Sequence, residues 1–245
     1  MKTKKTSKLS KSLNLNYNSD NGIWLQQAKT LRKIVGTAGM LLPVLLLAFS
    51  LTFFGQDGPL ESISHYYYTR GATLFTVSVS LIGIFLIVYS GEEPVDFWVS
   101  NIAGFFALCV AFFPTGNLAA SCCDASMPYA VTYFDKSTEG WRSIFHYFSA
   151  AVFLVTLACI SLLLFVKSDT PKGRRCKEKV MRNRVYRTCG ILMIAALLVI
   201  VLGLTGIIPS EVYNNLKITF WMESLAVECF GFSWLVKGEA IMGDK

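Results

Sequence analysis

The sequence predicts an all-α integral membrane protein: a bundle of six transmembrane helices with both termini cytoplasmic. Three observations lead there. Hydrophobic residues make up 53% of the chain and charged residues only 16%, against roughly 25% charged in soluble domains. The apolar residues gather into six runs, 34–54, 71–90, 97–113, 147–166, 189–208 and 218–236, each near the length of about 20 residues that crosses a bilayer core. The Lys and Arg residues divide 19 to 4 between alternate sides of those runs, and the richer side is expected in the cytoplasm.

Taken in order, residues 1–33 form a basic cytoplasmic segment. Its first 21 residues are rich in Lys, Ser and Asn and lack an apolar period, which predicts mobility. "GIWLQQAKTLRK" follows, with Trp24, Leu25, Ala28 and Leu31 at helical spacing. It reads either as an interfacial helix or as an N-terminal extension of the first span. The transmembrane domain covers 34–237. Its first run begins too late and is too long for a signal-peptide core, so it is expected to stay in the membrane. Pro43 predicts a kink there.

The link "GEEPVD" is short, so the second and third helices must be antiparallel neighbours. The fourth and fifth are joined by "KSDTPKGRRCKEKVMRNRVYR", read as the main cytoplasmic loop, with Pro171 and Gly173 as breakers. Segments 55–70, 115–146 and 209–217 fall on the outer face. The sixth run carries Glu223 and Glu228 between Trp221 and Trp234, the latter pair placed as interfacial aromatics. Residues 238–245 are a short cytoplasmic tail. A bacterial inner membrane and a eukaryotic endomembrane fit this pattern equally.

The formal net charge is +7, yet its placement speaks against nucleic acid. The basic groups follow the topology, and no groove-reading motif accompanies them. The partners they imply are anionic lipid headgroups at the cytoplasmic face.

The candidate ligand-binding residues lie toward the outer side. "ESISHYYYTRG" supplies Glu61, Ser64, His65 and Arg70; the long outer loop supplies Asp124; His146 opens the fourth helix; Glu223 enters from the outer end of the sixth. Glu228 lies deeper, about 140° from Glu223 around the helix, from the 3.6-residue turn. Intramembrane carboxyls cost several kcal/mol unless they face the bundle, on the order of 3 for an aspartate at the helix centre. Arg70 suits a lipid phosphate, because a guanidinium fork matches phosphate oxygens. Tyr66, Tyr67 and Tyr68 read as an aromatic belt. His65, Arg70, His146 and Glu223 are expected to converge in one pocket.

No cofactor motif is present. Zinc is the one metal candidate, on His65, His146 and Glu223, with Asp124 as the alternative carboxylate, since a catalytic zinc takes three protein ligands and leaves a position open. Ser62 or Ser64 beside a histidine gives a Ser–His pair without a GxSxG elbow. The seven cysteines show no disulfide framework. Cys122 and Cys123 are adjacent in the outer loop, either a strained vicinal disulfide or two thiols.

"GPLESISHYYYTRGATLF", "NIAGFFALCVAFFPT" and "HYFSAAVFLVTLACISLLLF" resemble the six-helix membrane family of DRAM-type and FGF-receptor-activating-type proteins and their bacterial relatives. The resemblance covers about residues 59–165 and rests on Ile63, Ser64, Asn101, Gly104, Pro114 and His146. It implies six helices, cytoplasmic ends and lipid or glycolipid handling, and no established reaction. "HYYYT" replaces the family's polar continuation after Ile-Ser. Three functions follow as expectations: binding or organising a lipid-like ligand in an outer-leaflet pocket, metal-dependent hydrolysis through two histidines and a carboxylate, or proton-coupled transport through Glu223 and Glu228.

Overall fold

The computed structural model describes residues 22–53, 58–89, 94–113, 115–116, 140–167 and 176–242. The N-terminal 21 residues, Pro114, Cys122, Cys123 and Asp124 lie outside them. The described residues contain helices and turns and no strand. The helices are α1 (Gly22–Phe53), α2 (Ala72–Val88), α3 (Pro94–Phe112), α4 (Trp141–Cys159), α5 (Lys177–Leu204), α6 (Ser210–Asn215) and α7 (Ile218–Lys237). A 3₁₀ turn, Ile63–Tyr68, precedes α2, and α4 ends in a π turn, Ile160–Leu164.

Four helical stretches are long and apolar enough to cross a membrane: Ala28–Thr52, Pro94–Phe112, Trp141–Leu164 and Lys177–Leu204. α2 is apolar but shorter, at 17 residues. α7 has 20 residues, but Glu223 and Glu228 lower its hydropathy and it is not among the four.

α1 is one uninterrupted helix of 32 residues, so of the two readings of "GIWLQQAKTLRK" the structure has the N-terminal extension of the first long helix. One boundary differs from the sequence expectation. α5 starts at Lys177, three turns before the apolar run. Its first turns hold Lys, Glu, Met and Arg, which are good helix formers. Hydropathy marks where a helix can meet lipid; helix propensity carries it further.

The six longer helices close a ring in chain order. Each packs on the next, and α7 packs on both α5 and α1. Two closures depend on glycine pairs. A Cβ on Gly231 would lie 2.6 Å from the Gly36 carbonyl oxygen, where α7 meets α1. A Cβ on Gly104 would lie 2.5 Å from the Gly83 carbonyl oxygen, where α3 meets α2. Small residues let helix backbones approach closely, which is how helices gain packing energy when lipid removes the hydrophobic drive.

One end of the ring is basic and aromatic. The Trp234 ring packs against Tyr89 and Phe165, with centroids 5.0 and 5.4 Å away, and Phe165 against Tyr186 at 5.4 Å. Arg32 lies over Tyr89 and donates to its hydroxyl at 3.2 Å. Lys29 pairs with Glu239 at 2.6 Å. Trp234 is fully buried, so it anchors this end from inside and does not stand at an interface. Trp221, by contrast, is 47% exposed.

The π turn feeds this cluster. The Phe165 N–H donates to the Ile160 carbonyl at 3.0 Å, five residues back. Within that turn the Ser161 hydroxyl meets Ser233 of α7 at 2.8 Å.

Candidate functional site

The other end of the ring is capped by the 3₁₀ turn. Ser62 takes extended backbone angles before it, and two bonds stitch residues 61–63 to the start of α7. The Phe220 N–H donates to the Glu61 carbonyl at 3.0 Å. The Ile63 N–H donates to the Glu223 carboxylate at 2.7 Å. Both N–H groups come from early helical positions, which lack partners within their own helix. The Glu61 carboxylate also pairs with Lys217 at 3.7 Å.

Beneath the turn lies a small cavity of about 40 Å³. Three helical stripes wall it. Phe75, Val79 and Ile82 come from α2, Ala150, Phe153 and Leu157 from α4, and Glu223, Val227 and Phe230 from α7. These spacings of three and four place each set on one helix face. Ile63 and Ser64 close the turn end. Glu223 is the one ionisable side chain in the lining, and its bond to Ile63 is its only hydrogen bond among the described residues.

The two histidines stand at the same end. The His65 Nδ1 lies 2.6 Å from the Ser62 hydroxyl. Burial lowers the His65 pKa to about 4, helped by His146 and then by Lys217. That ring is therefore neutral at physiological pH, and the His146 field reaches it. His146 is itself buried and lies one turn before Ala150 on the same α4 stripe. Its Nδ1 is 2.7 Å from the Phe113 carbonyl oxygen. A carbonyl only accepts, so Nδ1 carries the proton and, in the neutral ring, Nε2 is an acceptor.

Of the expected constellation, His65, His146 and Glu223 gather around the turn. Arg70 does not: it is exposed and absent from the cavity lining. Charge pairing favoured Arg70 as the Glu223 partner, whereas the fold supplies a backbone N–H. Glu61 joins the turn to α7, and Ser64 faces the cavity. Asp124 lies outside the described residues. Glu228 is absent from the cavity lining. Tyr66 and Tyr68 are buried, and Tyr68 donates to the Thr115 carbonyl at 2.6 Å. They pack the end of the ring and do not form a lipid-facing belt.

Among the described residues, no three His, Cys, Asp or Glu side chains stand close enough together to hold a metal ion. His65, His146 and Glu223 thus share a region without forming a ligand sphere in this arrangement. The residues that sequence reasoning missed are the cavity walls and the Phe113 carbonyl. The α4 wall had a readable signal, since His146, Ala150, Phe153 and Leu157 recur at helical spacing. Comparison with protein-family models, curated proteins and solved structures finds no match.

Proposed function

We propose that this is a six-helix membrane protein that holds a lipid-like ligand in the ring cavity, with the 3₁₀ turn on the outer side and both termini in the cytoplasm. The cavity carries the reading: apolar walls from three helices, with Glu223 and Ser64 as the polar side chains of its lining. Ligand pockets combine apolar walls with a few placed polar groups. Hydrocarbon suits the walls, because a void leaves them without the contacts a filled core has. The orientation is supported by the 19-to-4 division of Lys and Arg.

Native mass spectrometry of protein extracted in mild detergent tests the ligand. A retained species of lipid mass, lost in Ala150→Trp where the indole fills the cavity, is the expected result. Protein that carries no such species in either form overturns the reading. Reporter fusions at Lys136 and Lys177 test the topology: Lys136 outside and Lys177 inside is expected, and the reverse inverts it.

A further inference from the structure

Glu228 stands apart from the site beneath the turn. It is the eleventh of the 20 residues of α7, Ile218–Lys237, and so lies at the middle of that helix. Its side chain is partly exposed and makes no hydrogen bond or ion pair among the described residues. Glu223, Val227 and Phe230 mark the face of α7 that lines the cavity, and Gly231 marks the face that meets α1. From the 3.6-residue turn, Glu228 points about 140° away from Glu223 and about 160° away from Phe230, but only about 20° from Trp221, which is exposed. The carboxyl is therefore on the outward face of α7, with Leu225 and Phe232 about one turn to either side. α5, which flanks α7, is the least covered of the four apolar stretches, with 22% buried against 39–44% for the others.

From this we infer that the outward face of α7 docks a transmembrane helix of another protein, one that carries a lysine or arginine at mid-membrane height to pair with Glu228. The inference rests on the six-helix reading above, which puts α7 in the bilayer. Ionisable groups within a membrane almost always face the bundle interior or find a partner, and Glu228 does neither within this chain. A cation on a facing helix gives it a counter-charge, and polar contacts between helices help hold membrane assemblies together. A second copy of this chain offers no such cation. Lys and Arg are absent from 34–69, 71–135, 143–166, 188–216 and 218–236, and both histidines are engaged at the turn end. Two-fold symmetry about the membrane normal would set Glu228 against Glu228 at equal height, like against like. The same pairing accounts for α7 itself. Its carboxyls keep it out of the four apolar stretches, and a partner's cation offsets one of them.

Association with synthetic transmembrane helices is the test. Full-length protein with a donor fluorophore at its C-terminus is reconstituted in phosphatidylcholine vesicles. Acceptor-labelled leucine–alanine peptides of bilayer length carry Lys, Gln or Leu at their midpoint. Energy transfer is expected to show the Lys peptide binding at least about tenfold more tightly than the Leu peptide, the scale of one charged contact. Glu228→Leu should abolish that preference, and Glu228→Gln should shift it toward the Gln peptide. Thermal unfolding should find Glu228→Leu at least as stable as the wild type, since leucine suits a lipid-facing position; this separates lost docking from lost fold. Equal binding of the Lys and Leu peptides, or a Lys preference that survives Glu228→Leu, overturns the inference. So does self-association of the wild type that Glu228→Leu abolishes, which would make a second copy the occupant. Modification of Glu228 in the same vesicles by a water-soluble carbodiimide and a hydrophilic amine would take α7 out of the membrane, and the six-helix reading itself would fall.

Discussion

The Glu223 carboxylate accepts the Ile63 backbone N–H at 2.7 Å across 160 positions of sequence. A carboxyl that lines the cavity is thereby spent on the first turn of a 3₁₀ segment, not on a cation. Glu223→Ala leaves that N–H without its partner and should lower stability by about 1–3 kcal/mol. Glu223→Gln retains an acceptor and should lose less. Thermal unfolding in detergent ranks the two; equal losses would mean that the bond contributes nothing beyond side-chain packing.

Acid should loosen the same turn. The folded-state pKa of His65 is about 4, below the ordinary imidazole value of 6.5, because burial, His146 and Lys217 all disfavour the imidazolium. Between those two pH values the unfolded chain binds the extra proton and the native one does not. Stability therefore rises with pH across this window and is lost as pH falls through it. The melting temperature should drop from pH 6.5 toward about 4, and the drop should be shallower in His65→Gln. Parallel curves for the two proteins would assign the slope to other groups.

The glycine pairs make a sharper claim. Gly231→Ala and Gly104→Ala each push a methyl group against a backbone oxygen of the facing helix. Backbone cannot rotate aside as a side chain can, so each should cost about 1–3 kcal/mol by overpacking. At Gly58 an added Cβ meets nothing within 4 Å, and Gly58→Ala should be neutral. Matched unfolding curves of the three variants check the contrast.

Lys217 holds a left-handed backbone at φ 51° before α7. A side chain there costs on the order of 1 kcal/mol, which glycine avoids. Its ion pair with Glu61 is partly exposed and so worth little, about 0–1 kcal/mol. Lys217→Gly should therefore hold or raise the melting temperature, whereas Lys217→Val, β-branched at the same angle, should lower it.

The helical class was legible because hydrophobic composition and run length are one-dimensional properties. The start of α5 was not, since Lys177–Arg187 is too polar for a hydropathy signal and yet helical by propensity. Site legibility followed the same line. His65, His146 and Glu223 could be placed at one height by counting residues from helix ends. The identity of their partners could not, because the Ile63 N–H and the Phe113 carbonyl are backbone groups that every residue carries. Trp234 shows the converse error: position at a helix end suggested an interface, while packing on Tyr89 and Phe165 buried it. Only the three-dimensional ring decides which face of α7 an aromatic takes.

The π turn at the end of α4 makes chain length, locally, a variable the fold can absorb. A π turn holds one residue more than the α turn it replaces. Removing a single residue anywhere else in α4 would rotate everything downstream by about 100°, from the 3.6-residue turn. Removing Leu163, which is 60% exposed, would instead relax Ile160–Leu164 to an ordinary α turn. Phe165 would keep its place against Trp234 and Tyr186, and Ser161 would keep Ser233. The segment is thus a site where a one-codon deletion is survivable, and related chains that differ by one residue here would still build the same ring.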